Sequence, residues 1–126
     1  MLNKIIYATV VYECKNFDIF AHDYLESVFK QTDQNFELLI LSDGVDIANI
    51  KEIVDQFNVN RKIIHYEKNT RRLTPIQLRK ELIDISYKLG GDILIFSDFL
   101  SIKILVFFVI KSISNLSAVN CVPGLL

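Results

Sequence analysis

Four short apolar runs, each parted from the next by a stretch of helical periodicity, limit this 126-residue chain to very few folds. The runs are Ile5 to Tyr12, Phe36 to Leu41, Lys62 to Tyr66 and Asp92 to Phe96. The first is β-branched and apolar almost throughout, as expected of a parallel strand buried on both faces. After it, Ala21, Leu25, Val28 and Phe29 share one face of a helix expected from an Asp18 cap to about Gln31. Asp46 is expected to cap a second helix, with Ile47, Ile50, Val54 and Phe57 as its buried stripe. The third helix has the strongest local signal. Thr74, Pro75 and Gln77 supply an N-cap, a first-turn proline and a capping-box partner. Leu78, Leu82, Ile85 and Leu89 then repeat on one face, and Gly90 and Gly91 end it. The order β-α-β-α-β-α-β predicts an α/β fold: a Rossmann-like, right-handed, doubly wound parallel sheet with helices on both faces.

Composition narrows the function. Apolar residues are 51% and charged residues 23% of the chain, which excludes intrinsic disorder. Fourteen basic residues against 15 acidic give a net charge of −1, so no field draws in nucleic acid and no nucleic-acid partner is expected. There is no GxGxxG, GxxxxGK[ST] or GxSxG motif. His22 and His65 lie far apart without metal-ligand spacing. Cys14 and Cys121 form no CxxC and suit a reducing cytoplasm. The apolar N-terminal run is soon broken by Glu13 and Lys15, too early for a signal sequence. A cytoplasmic location is the expectation.

Open parallel sheets bind ligands beyond the carboxyl ends of their strands. Tyr12 and Glu13 follow the first strand. Ser42, Asp43 and Gly44 follow the second, Lys68, Asn69, Arg71 and Arg72 the third, and Ser97 and Asp98 the fourth. Carboxylates for base and ribose with cations for phosphate would hold a nucleotide. An equally simple account is that polar residues end most strands, and that Arg61, Lys62, Lys68, Arg71 and Arg72 form a solvated basic face.

The segment Leu25-Glu-Ser-Val-Phe-Lys-Gln-Thr-Asp-Gln-Asn-Phe-Glu-Leu-Leu-Ile-Leu-Ser-Asp-Gly44 resembles the early part of inverting family 2 glycosyltransferases. In that family a helix ending in Ser-(Val/Ile)-x-x-Gln-Thr leads through an Asn-Phe-Glu turn into a strand that ends in Asp-Asp-Gly. Ala8-Thr-Val-Val-Tyr12 is similar to the opening strand, Gln77-Leu-Arg79 to the Ala-Arg-Asn position, and Ile93-Leu-Ile-Phe-Ser-Asp98 to the strand entering Asp-x-Asp. The resemblance covers roughly residues 4 to 98 and implies the GT-A fold. It further implies that Tyr12 lies near the nucleotide and that Asp43 accepts a hydrogen bond from a uracil-type base or its ribose. Arg79 would reach base or phosphates, and Asp98 would contact ribose or a metal ion. A complete relative transfers a sugar from UDP-sugar or a similar donor to a saccharide or lipid-linked acceptor, with inversion, in polysaccharide biosynthesis. Mn²⁺ or Mg²⁺ neutralises the leaving diphosphate.

The departures from the family pattern are specific. The proline before Tyr12 is missing, and Ser42 stands where a first aspartate is common. Phe99 and Leu100 follow Asp98, so the second carboxylate of Asp-x-Asp is absent. Nothing after Phe99 resembles the acceptor-binding half, whose carboxylate deprotonates the acceptor hydroxyl. The expectation is a donor-binding region over 1–98 and an apolar tail over 99–126, an incomplete chain with weak or no activity, by truncation or frameshift. The tail's run from Ile104 to Ile110 is only seven residues, against about 20 for a membrane span. Buried strand, helix and unpartnered tail all stay open for it. The alternative is a non-catalytic α/β interaction domain, a remnant or partner subunit, whose residues 100–126 dock on a protein or on the cytoplasmic face of a membrane. A phospho-receiver-like domain is a third reading, which Asp43 and Asp98 fit loosely.

Overall fold

A computed structural model describes residues 3–57, 62–97, 104–109 and 120–121. In chain order these form β1 (Ile5–Tyr12), α1 (Phe17–Phe29), β2 (Glu37–Asp43), α2 (Ile47–Val54), β3 (Ile64–Lys68), α3 (Pro75–Lys88), β4 (Ile93–Ser97), β5 (Ile104–Val109) and β6 (Asn120–Cys121). The strands make one six-stranded sheet in the order β3-β2-β1-β4-β5-β6. The pairs β1–β2, β2–β3 and β1–β4 are parallel. The α/β fold expected from the alternating pattern is therefore the observed one.

Crossover handedness decides where the helices go. The chain steps from β1 to β2 to β3 in one direction, so two right-handed crossovers put α1 and α2 on the same face. The step to β4 reverses direction across β1 and puts α3 on the other face. Side-chain alternation follows suit. Tyr7 and Val11 of β1 pack with Tyr24, Leu25 and Val28 of α1 and with Ile50, Ile53 and Val54 of α2. Ile6 and Ala8 pack with Leu78 and Leu82 of α3 and with Leu94 and Phe96 of β4.

Local chemistry explains most boundaries. Asp46 caps α2 by accepting the Ala48 N–H at 3.0 Å. Thr74 and Gln77 form the expected capping box on α3, with Pro75 at its start. Asp18 does not cap α1. The cap is Asn16, whose backbone is left-handed (φ 62°) and whose carbonyl accepts from Ile19 and Phe20 N–H, both at 3.1 Å. Asn is among the few residues that adopt that conformation cheaply. Asp18 sits in the first turn, where a negative charge suits the helix N-terminus. β3 begins two residues later than Lys62, the residue expected to open it. The Lys62 ammonium instead donates to the Gln34 and Phe36 carbonyls at 2.7 and 3.2 Å and lies 3.6 Å over the Phe36 ring. Burial pushes its pKa down.

Residues 104–109 fall within the stretch for which strand, helix and tail stay open in sequence. They form β5, antiparallel to β4, with an irregularity in the register between Phe96 and Ser97. β6 pairs antiparallel to β5. No helix among the described residues is long and apolar enough to cross a membrane.

Polar pairs close the amino end of the sheet. Glu37 accepts from Lys4 Nζ at 3.3 Å and pairs with His65 Nε2 at 2.7 Å. The Lys4 backbone N–H donates to the Asp92 carboxylate at 2.7 Å, and Asp92 N–H donates to the Lys4 carbonyl at 2.8 Å. His65 thus braces the end of the sheet opposite to the carboxyl ends of the parallel strands.

Two substitutions test this core, with opposite signs. A Cβ at Gly91 would stand 2.7 Å from Ile6 Cγ1 and 2.8 Å from Ser86 Oγ. Gly91→Ala should lower unfolding free energy by about 1–3 kcal/mol, the usual overpacking cost, measured by denaturant titration. Thr9 is 1% exposed, and its hydroxyl has no hydrogen-bond partner among the described residues. Thr9→Val should raise stability by about 1 kcal/mol, since burying an unpaired hydroxyl costs on that order. An unchanged denaturation midpoint would contradict the orphaned hydroxyl.

Candidate functional site

The reversal of strand order between β1 and β4 leaves a crevice beyond the strand ends. A cavity of about 480 Å³ lies there. Ala8, Val10 and Tyr12 of β1 and Phe96 and Ser97 of β4 line one side. Leu73, Pro75, Leu78, Arg79 and Leu82, from α3 and its approach, line the other, and Asp43 enters from the end of β2. The volume lies in the range of small-molecule sites, and the lining is apolar with few polar groups, as such sites usually are.

Asp43 reaches the cavity because β2 pairs with β1 to its last residue, Tyr12 opposite Asp43. Gly44 follows with φ 88°, a left-handed turn in which a side chain would be strained. Ser42, at the position where the family often has a first aspartate, is fully buried. Its hydroxyl donates to the Val45 carbonyl and closes that turn. Ser42 is thus a turn staple, and Asp43 is the residue that lines the cavity. Asn69, just past β3, donates from Nδ2 to Asp43 Oδ1 at 3.0 Å.

Arg79 is half-buried on the cavity side of α3 and has no ion-pair partner among the described residues. Arg71 contrasts with it: its guanidinium pairs with Glu81 at 3.3 Å. Neither Arg71 nor Arg72 lines the cavity, and both are exposed, as a solvated basic face would have them. Tyr12 is 37% exposed and presents an aromatic ring at the cavity wall. The Ser97 hydroxyl donates to the Ala8 carbonyl at 3.2 Å and meets the buried Tyr24 hydroxyl at 2.5 Å, which ties the end of β4 to β1 and α1.

Of the four residues singled out in sequence, the structure gathers Tyr12, Asp43 and Arg79 around one cavity. Asp98 lies outside the described residues. Asn69 was visible only as one of several polar residues past a strand. Its signal was local: an asparagine whose Oδ1 accepts the N–H two residues on, here Arg71 at 3.3 Å, makes an Asx-turn. His22 lies on the side of α1 toward α2, 3.8 Å from Glu26 and with its ring 4.9 Å from that of Phe57, away from the cavity lining.

The described residues alone do not make a site for a divalent ion. Among the described residues no cluster of three or more His, Cys, Asp or Glu side chains is placed to hold one. Asp43 is the one carboxylate lining the cavity among the described residues, and Asn69 donates to one of its oxygens. Mn²⁺ and Mg²⁺ need several hard oxygen ligands in near-octahedral array.

The structure is similar to the crystal structure of GalNAc-T7 with UDP, GalNAc and Mn²⁺, with a TM-score of 0.58 and 21% identity over 79% of this chain. The fold resembles a GT-A glycosyltransferase domain. This chain spans 18% of that enzyme's chain. No protein-family model matches the sequence, and no curated protein does. The GT-A-like core accounts for the order β3-β2-β1-β4 and for the cavity at its reversal.

Removing the Ser42 hydroxyl would leave the buried Val45 carbonyl without that bond. Ser42→Ala should cost about 1–3 kcal/mol, the penalty for a buried group left unsatisfied. A thermal or denaturant melt unchanged from the parent would show that the turn does not need the staple.

Proposed function

We propose that this GT-A-like domain binds the nucleotide part of a nucleotide diphosphate sugar in the β1/β4 cavity, and that the protein is glycosyltransferase-like. The observation that carries the proposal is that one apolar cavity is lined by both Asp43 and Arg79, and that Arg79 has no ion-pair partner among the described residues. A half-buried cation without a counter-ion is costly to keep, and a diphosphate would supply the missing charge. Asp43 would accept an N–H of the base or a ribose hydroxyl, a charge-assisted bond stronger than a neutral one. The Tyr12 ring offers a stacking surface for the base. The bound UDP, GalNAc and Mn²⁺ of GalNAc-T7 support a nucleotide sugar as the donor class.

The transfer itself we leave to parts beyond the described residues. A general base must take the acceptor proton as the acceptor oxygen attacks. Asp43, engaged by Asn69 and turned to the nucleotide, is not assigned that task. Asp98 is proposed as a contact to ribose or metal, on the sequence resemblance alone. With Phe99 and Leu100 behind it, charge neutralisation of the diphosphate falls mainly to Arg79.

Calorimetric titration of the purified chain with UDP, TDP and GDP, each with and without Mn²⁺, tests this. Saturable binding that does not require Mn²⁺ is the expected result. Arg79→Gln and Asp43→Asn should each weaken it by roughly tenfold or more, since a hydrogen bond to a charged group contributes about 1.5–3 kcal/mol. Arg79→Gln should leave the melting midpoint unchanged or slightly raised, because Arg79 has no ion pair to lose among the described residues and its unmatched charge carries a small cost. A folded protein that binds none of the three at millimolar concentration would overturn the proposal.

A further inference from the structure

We infer that Tyr24 of α1 is a positioning residue for the ligand of the β1/β4 cavity: acting through Ser97, its hydroxyl holds the β4 wall of that cavity from the opposite face of the sheet. The role rests on the proposal above that the cavity takes a nucleotide.

Tyr24 is 1% exposed and lies in a layer built mainly from aliphatic side chains. A hydroxyl buried there costs free energy unless it is hydrogen-bonded. It meets Ser97 Oγ at 2.5 Å, 73 residues along the chain. Ser97 is the last residue of β4, is itself buried, and lines the cavity. Ser97 Oγ carries one proton, which goes to the Ala8 carbonyl at 3.2 Å. The Tyr24 hydroxyl is therefore the donor in its bond to Ser97. The three groups make a one-way chain, Tyr24 to Ser97 to Ala8, in which each bond polarises the next. Ala8, at the far end of the chain, also lines the cavity.

This chain of hydroxyls sits where the backbone pairing of β4 becomes irregular. The β4 register with β1 runs from Ile93 to Phe96, with Phe96 opposite Ala8, and Ser97 lies one residue beyond. On the other edge, the register with β5 shifts between Phe96 and Ser97. Side-chain bonds thus fix the residue that ends the cavity wall. No described residue of α1 lines the cavity, so Tyr24 acts on it through Ser97. Binding sites need their walls held to within about 0.5 Å, which is the work of hydrogen bonds from just such a supporting residue.

Tyr24→Phe removes the donor, keeps the ring in its packing and leaves Ser97 bonded to Ala8. By calorimetry it should bind UDP roughly three- to tenfold more weakly than the parent, the worth of one neutral hydrogen bond. Ser97→Ala should weaken binding by a similar factor. The double variant should lose no more than the weaker single variant, because the two hydroxyls act as one unit. If Ser97→Ala fails to fold, Tyr24→Phe carries the test alone. Val28→Ala is the structural control, since Val28 is buried on the same helix and does not line the cavity. It should lower the melting midpoint and leave UDP affinity unchanged. A tyrosine with a merely structural role would behave as Val28 does, and unchanged affinity in Tyr24→Phe would overturn the inference. So would losses that add in the double variant. A folded parent that binds no nucleotide would overturn the donor site and this role with it, an outcome distinct from a parent and a Tyr24→Phe variant that bind equally well.

Discussion

Everything in this protein leans on β1, a strand covered on both faces and paired along both edges. Such a strand must be apolar on alternate positions in both directions, because neither side meets water. Ile6 and Ala8 then face α3, and Tyr7 and Val11 face α1 and α2. Full burial of one such aliphatic side chain contributes about 1.5–3 kcal/mol, and a typical net hydrogen bond about 1 kcal/mol. The apolar layers therefore outweigh the polar contacts of the cavity many times over. The site is a by-product of the sheet's geometry, and its polar residues can vary without loss of the fold.

The two ends of the sheet are treated differently. The amino end is closed by Lys4, Glu37, His65 and Asp92, whose polar groups are satisfied among themselves. At the carboxyl end Asp43 is half-satisfied by Asn69, and Arg79 has no counter-charge among the described residues. Charges matched internally serve the fold. Charges left unmatched beside a cavity lower stability slightly, which is the usual signature of residues kept for a ligand.

What could be seen in the sequence was what depends on neighbours in the chain. Asp46 and the Thr74–Gln77 capping box act within one turn, and both appear as expected. The apolar runs placed the strands to within two residues. What failed depended on distant partners. The left-handed Asn16 turn displaces Asp18 as the α1 cap, and nothing in the local pattern announces it. The delayed start of β3 follows from Lys62 reaching across to the β2 approach, 26 and 28 residues away. Arg71 looked as close to the strand ends as Asn69, yet α3 takes it through Glu81. Arg79 stood out only through a family resemblance, since a lone arginine on a helix looks like a solvated one until the cavity beside it is known.

β4 is the hinge of the sheet's two halves, parallel to β1 on one edge and antiparallel to β5 on the other. Without β5 the buried, apolar Leu94 and Phe96 would sit on a strand with a bare row of backbone donors and acceptors. Such an edge invites pairing with the same edge of a second molecule. A fragment that ended at β4 would therefore gain self-association along with brevity. β5 covers that edge by pairing antiparallel with β4.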